Sequence, residues 1–204
     1  MNKNISTVIE ITDYHIKLLQ TQVLRGKTHL ITCDIEPIDS HTEEHLLKLF
    51  KKVIFRHHIQ TSNLTFILPR KLVILKQIRV PSVHEGEIDK MIGLQLVNQI
   101  PYPIQDVVFD YYILDKSEDG YTTVMIVVVH KDVIDRYLIF FRKLDIPLNK
   151  LTFSSLGIIQ LYYFLRKSKD IDVKKSFLLI SIDAGHSELC FFRDKKLYFS
   201  RSIG

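Results

Sequence analysis

Loops that bind phosphate bring backbone N–H groups close to an anion, and closely spaced glycines are the usual means. The chain has only 7 glycines, at positions 26, 86, 93, 120, 157, 185 and 204, so the nearest pair is seven apart. A Walker A loop and a G-x-G-x-x-G dinucleotide turn are therefore excluded. His41 and His45 stand at i and i+4, one face of a helix as in zinc sites. No third ligand follows nearby, so they read as solvated histidines, and the adjacent His57 and His58 diverge too far to chelate together. Cys33 and Cys190 form no C-x-x-C and read as two buried thiols of a reducing compartment. Ser154-Ser155 has no accompanying His/Asp pattern and reads as a helix cap. No pair of carboxylates stands out as a general acid and base.

The bulk numbers fit an ordinary globular protein, 46% hydrophobic and 25% charged, with room for one large domain or two small ones. The formal net charge is +5, and its distribution is uneven. Residues 1–80 carry 12 Lys/Arg against 7 Asp/Glu, whereas residues 81–204 carry 16 of each. An anionic partner or a solvated basic face would both account for this. No Lys/Arg-dense helix and no aromatic-basic interleaving is present, so nucleic acid is not an expected partner. The N-terminus lacks a signal-peptide core, and the longest apolar run, Val124 to Val129, is too short to span a bilayer. The expectation is a soluble cytoplasmic protein.

The elements that must position any site alternate between strands and helices. Ile5–Thr12, His15–Thr21 and Thr28–Ile35 read as three strands. Ser40 with Glu43 reads as a capping box opening a helix whose apolar stripe is Leu46, Leu47, Phe50, Val53 and Ile54. Asn63–Leu68 and Lys71–Val80 are strands, and Ser82 with Glu85 opens a second helix that Ile100-Pro101-Tyr102-Pro103 ends. Val107–Leu114 and Tyr121–His130 are strands, the latter apolar enough for a central position. Lys131–Leu144 is a helix, Leu148–Phe153 a strand, and Ser154–Lys169 a helix followed by a linker over Asp170–Lys175. Ser176–Ile182, Glu188–Arg193 and Lys196–Arg201 close the chain as a strand trio that has nothing to pack on, so the end reads as premature.

A series of phrases in this order resembles the PilM family of pilus-assembly proteins and its GspL-type secretion relatives, which have an actin-like fold. They are Leu75 to Pro81 (LKQIRVP), Gln99 to Pro103 (QIPYP) with Val107 to Tyr111 (VVFDY), Val129 to Tyr137 (VHKDVIDRY), and Phe192-Arg193-Asp194 with Phe199 to Ile203 (FSRSI). The resemblance implies an α/β (α+β) chain whose first domain is actin-like, or ribonuclease H-like. A small α+β subdomain of SHS2 type is inserted, and the chain is truncated before most of the second domain. The implied organisation is a first subdomain over 1–70, the insertion over 71–152, a returning helix over 153–175, and the start of the second domain over 176–204.

In that family two Asp-x-Gly turns face each other across phosphates and magnesium. Aligned on Lys17, the first turn here is Glu10-Ile11-Thr12, which keeps the acid and loses the glycine. Aligned without gaps on Arg193-Asp194, the second is Ser181-Ile182-Asp183; a shifted alignment offers Asp183-Ala184-Gly185 instead. A β-branched Thr12 tolerates a left-handed backbone poorly, so the first turn is impaired either way. Glu10, Thr12, Lys17, Ser181 and Asp183 are thus the candidate vestigial cofactor residues. The implied function is a non-catalytic cytoplasmic scaffold of a type IV pilus or type II-like secretion platform, with no cofactor. The alternative is an actin-like ATPase using ATP and magnesium. The implied partner is the cytoplasmic tail of a PilN-like membrane protein, with other platform proteins and the inner membrane reached only through such partners. A groove near Ile100, Pro101, Tyr102, Tyr111 and Tyr112 is the candidate docking surface, and a homo-oligomer would complete the last sheet by pairing its exposed edge.

Overall fold

The computed structural model describes residues 4–167 and 176–204. Strands β1 (Ile5–Ile11), β2 (His15–Leu24) and β3 (Lys27–Pro37) form an antiparallel meander. Helix α1 (Glu43–Arg56) then crosses over, so that β4 (Leu64–Leu68) runs parallel to β1. A later strand, β8 (Lys150–Phe153), adds in parallel to β4 and completes a five-stranded sheet in the order β3-β2-β1-β4-β8.

Between β4 and β8 the chain builds a separate sheet from β5 (Ile74–Val80), β6 (Val107–Lys116) and β7 (Thr122–His130), with helix α2 (Glu85–Leu96) after β5. The apolar β7 lies in the middle, in the order β5-β7-β6, as its composition predicts. Its Val124, Ile126 and Val128 share a core with Ile88, Ile92 and Leu96 of α2. Helix α3 (Lys131–Lys143) leads back to the first sheet, and α4 (Ser154–Lys167) follows β8 directly. The third sheet, β11-β10-β9, comprises β9 (Ser176–Ile182), β10 (Ser187–Arg193) and β11 (Lys196–Ile203). The linker expected at Asp170–Lys175 lies outside the described residues, as do the last two positions of the expected final helix.

The main core is aromatic. Phe50 of α1 meets Phe140 and Phe141 of α3 edge-on at 5.4 and 5.6 Å, and Phe141 meets Phe66 of β4 at 5.2 Å. Such edge-to-face contacts join two helices to the sheet beneath them. On α4, Tyr162 stacks on Phe177 at 4.2 Å, and Phe177 stacks on Phe192 at 5.3 Å, which brings the third sheet into the same core. The outer face of that sheet stays open, exposing Leu178, Ile180, Ile182, Phe199 and Ile203.

Four local expectations are corrected. Thr42, not Ser40, caps α1, because its hydroxyl stands three residues before His45 and accepts that residue's N–H at 3.4 Å. Ser82 does not cap α2; it accepts from the His84 N–H and donates to Glu87, leaving His84 as the first flanking residue. The strand expected from Lys71 begins at Ile74, because Pro69 leads into a short 3₁₀ turn over Arg70–Leu72. Cys33 is also exposed on β3, and only Cys190 is buried.

Phe141 is 1% exposed and touches three aromatic rings, whereas Phe55 of α1 is 81% exposed. Phe141→Ala is expected to destabilise the fold by ~3–5 kcal/mol, and Phe55→Ala by less than ~0.5 kcal/mol. Thermal denaturation followed by circular dichroism checks both; equal losses would contradict the assigned core.

Candidate functional site

Two hairpin turns face one another where the first and third sheets meet. In the first, Thr12 N–H donates to the His15 carbonyl at 2.9 Å; in the second, Asp183 N–H donates to the His186 carbonyl at 3.0 Å. The strand registers match as well, Glu10 opposite Lys17 and Ser181 opposite Glu188. Glu10 and Ser181 therefore occupy equivalent places, as do Thr12 and Asp183. Asp183-Ala184-Gly185 is the turn itself, and Ser181 lies two residues back on β9.

Lys17 links the two hairpins. Its ammonium is 3.2 Å from Glu10 Oε2, its cross-strand partner, and donates to Asp183 Oδ2 across the gap. Burial works against the charge on Lys17, but the bonds to Asp183 and Glu10 outweigh it and raise the ammonium above its ordinary range. Burial likewise works against ionisation of Asp183, yet the Lys17 bond and the Ala184 N–H hold its carboxyl below the usual range. Both shifts favour the charged pair. Its contribution is lost as pH falls through the depressed Asp183 value, or rises through the raised Lys17 value.

Thr12 is absent from the described left-handed residues, which are Arg25, His58, Asp145, Asp194, Lys195, Gly26 and Gly120. The strain expected there is thus replaced by another effect. Thr12 Oγ1 accepts from the N–H groups of Tyr14 and His15 at 3.2 and 3.0 Å, closing the turn on itself. Asp183 Oδ1 accepts from Ala184 N–H at 2.8 Å in the same way. The Tyr14 ring lies hard against Gly185: a Cβ there would sit 1.9 Å from Tyr14 Cε2. The residues therefore fit magnesium and a phosphate poorly. The N–H groups of Thr12, Tyr14, His15, Asp183 and Ala184 are already bonded within their turns, the lysine is held by two carboxylates, and the Tyr14 ring lies on Gly185.

Beside the turns is an open cleft of about 550 Å³ lined by Asp13, Lys71, Gly185, His186 and Arg201, among others. Lys71 pairs with Asp13, so part of its charge is already matched. Arg70, at the cleft floor, is buried. It donates from Nε to Ser200 Oγ and from Nη2 to the Ser200 carbonyl, both at 2.7 Å, and from Nη1 to the Val73 carbonyl.

Ser200 belongs to a cluster that sequence reading missed. Glu188 is buried on β10 and accepts from Ser154 at 2.6 Å, from Ser155, and from Ser200 and the Cys190 thiol at 3.3 Å each. Burial beside this carboxylate pushes the Cys190 thiol up to about 12. The available signal was parity: Glu188 shares the inward face of β10 with Cys190 and Phe192. Ser154 and Ser155 do sit at a helix start, as expected, but their hydroxyls serve a carboxylate from another sheet.

The five expected docking residues are not gathered on one surface. Ile100 is buried in the α2 core. Tyr111 and Tyr112, adjacent on β6, face opposite sides: Tyr111 OH donates to Asp89 of α2, and Tyr112 OH donates to the Leu197 carbonyl of β11 at 2.7 Å. Pro101 is exposed, and Tyr102 is 41% exposed, edge-on to His130 at 4.9 Å. Of the helix-face histidines, His41 Nε2 lies 2.6 Å from the Asp13 carbonyl. No group of three metal-ligating side chains occurs among the described residues, and no helix there is long and apolar enough to cross a membrane.

Comparison with known proteins gives this arrangement its context. No curated protein matches the chain. Among solved structures, a chain of the PilM–PilN type IV pilus biogenesis complex superposes with a TM-score of 0.78 at 20% identity, covering 97% of this chain. The cytoplasmic domain of EpsL, an inner membrane component of the Vibrio cholerae type II secretion system, gives 0.62 at 11% identity, covering 98% of this chain and 71% of that one. A Bacteroides thetaiotaomicron protein with an actin-like ATPase fold and unknown function gives 0.53 at 13%, covering 99% and 70%. The fold is therefore actin-like, and the chain spans 61% of the length of the pilus-complex chain it matches. The profile described as type IV pilus assembly protein PilM matches residues 8–203, and the chain belongs to that family.

Proposed function

We propose that this chain is a docking component of a type IV pilus or type II-like secretion platform that works without hydrolysing ATP. It binds the cytoplasmic tail of a PilN-like membrane protein and is held at the cytoplasmic side of the inner membrane by such partners. The observation that carries this reading is the likeness of 97% of this chain to part of a chain of a PilM–PilN complex. The turns support the non-catalytic half, since the N–H groups of Tyr14, His15 and Ala184 are already bonded to Thr12 and Asp183 side chains. The docking surface narrows to Pro101 and Tyr102 together with β6. This strand is an edge of its sheet and exposes Val108 and Phe109. An extended tail can add to such an edge, its backbone pairing and its alternate side chains finding apolar contacts. The open face of β9–β11 is available to other platform proteins or a second copy of the chain.

Titration of the protein with a PilN-type tail peptide, followed by fluorescence anisotropy, is expected to saturate. Tyr102→Ala should weaken binding at least ~10-fold, the loss typical of an aromatic anchor. Absence of saturable binding would sink the docking reading, and full affinity in the variant would remove Tyr102 from the surface.

The cleft beside the turns favours one competing reading, an actin-like protein that binds Mg-ATP there. A ligand that binds only the folded state raises its melting temperature, by ~2.7 kcal/mol of stability at a hundredfold excess over Kd. Under the docking reading, millimolar Mg-ATP leaves the melting temperature unchanged; a concentration-dependent rise establishes the competitor.

A further inference from the structure

Glu10 and Asp183 approach from hairpins far apart in the chain, and one cation lies between them. Facing carboxylates of this kind are what hard divalent ions take as ligands. Here the cation is the ammonium of Lys17, bonded to both acids. We infer that Lys17 is a built-in cation: it holds Glu10 and Asp183 together where a divalent ion would otherwise be required, so the β1–β2 and β9–β10 hairpins are clasped without metal or nucleotide.

Four features lead to this assignment. Lys17 stands directly across from Glu10 in the β1–β2 register, so the strand pairing already places its stem beside the first acid. Asp183 is oriented by its own turn, one oxygen accepting from Ala184 N–H while the other meets Lys17. The three are partly buried, with side chains 14 to 30% exposed, so solvent screens the contact less than an open surface pair. The Tyr14 ring lies against Gly185 at the same junction, and Thr12 Oγ1 takes the Tyr14 and His15 N–H groups of its own turn. A tethered ammonium also has three donors and no dissociation step, unlike a free ion. The inference stands on this geometry and not on the docking reading, so the peptide titration above is decided separately.

Lys17→Met removes the charge and keeps most of the stem. The wild-type melting temperature is expected to be the same in chelator and in about 5 mM Mg²⁺ or Ca²⁺, because the carboxylates are occupied. In chelator, Lys17→Met should melt ~2–4 °C lower, the shift of about one kcal/mol in a chain of this size. Added Mg²⁺ or Ca²⁺ should then restore it, since two acids now lack a cation. The double variant Lys17→Met/Asp183→Asn should lose that response. Asp183→Asn alone, with Lys17 intact, should melt lower with or without divalent ion. A wild-type protein stabilised by divalent ions would overturn the inference. So would a Lys17→Met protein that matches the wild type in chelator, or one that ignores added ions.

Discussion

The buried Glu188 carboxylate constrains the placement of everything around it. Moving a carboxylate out of water costs several kcal/mol unless its oxygens are bonded and its charge is balanced. The chain meets that requirement from three directions. Ser154 and Ser155 donate from the first turn of α4, where the helix dipole also favours an anion. Ser200 donates from the neighbouring β11 while accepting from Arg70, so the guanidinium balances the carboxylate through one hydroxyl. Removing any one partner leaves a buried polar group unmet, so α4, the 3₁₀ turn at Arg70 and the third sheet are fixed together.

The other junctions of the third sheet are polar as well. Tyr112 of β6 donates to the Leu197 carbonyl, and Lys196 donates to the Leu114 carbonyl at 2.8 Å, tying the second sheet to β11. Lys17 ties the first sheet to the β9–β10 turn. Apolar contact alone would let packed elements slide, whereas directional bonds at separate points select one arrangement. Stacking of Tyr162 on Phe177 and of Phe177 on Phe192 then fills the space those bonds define.

Elements with a strong period were legible in the sequence; the contacts between them were not. The stripe Leu46, Phe50, Val53 announced α1, and the run Val124 to Val129 announced the central β7, because burial imposes those patterns directly. The cap of α1 was misplaced by two residues because Ser40 and Thr42 offer the same hydroxyl, and only the folded backbone chooses between them. The turn chemistry was half legible. Loss of glycine at position 12 could be read, but that Thr12 would spend its oxygen on two N–H groups required coordinates. Tyr111 and Tyr112 read as one aromatic patch, although the two-residue period of a strand already assigns them to opposite faces. Glu188 was overlooked for a different reason: strand parity places it on the inward face of β10, but the hydroxyls that meet it come from Ser154, Ser155 and Ser200, 12 to 34 positions away on other elements.

Scarce glycine connects these observations. Left-handed backbone positions usually fall to glycine, yet five of the described ones are Arg25, His58, Asp145, Asp194 and Lys195. Two of these close the β10–β11 hairpin and two follow helix ends, so the chain accepts strain at surface turns rather than loosening them with glycine. The glycine at 185 survives where the Tyr14 ring leaves no room for a side chain. Facing turns that bind an anion must leave their N–H groups open and their acids free for a metal. Here the Tyr14, His15 and Ala184 N–H groups are bonded locally, the acids share a lysine and the Tyr14 ring lies on Gly185, so the same hairpins act as a joint. A joint made from the chain's own charges keeps its geometry whether or not a ligand is present.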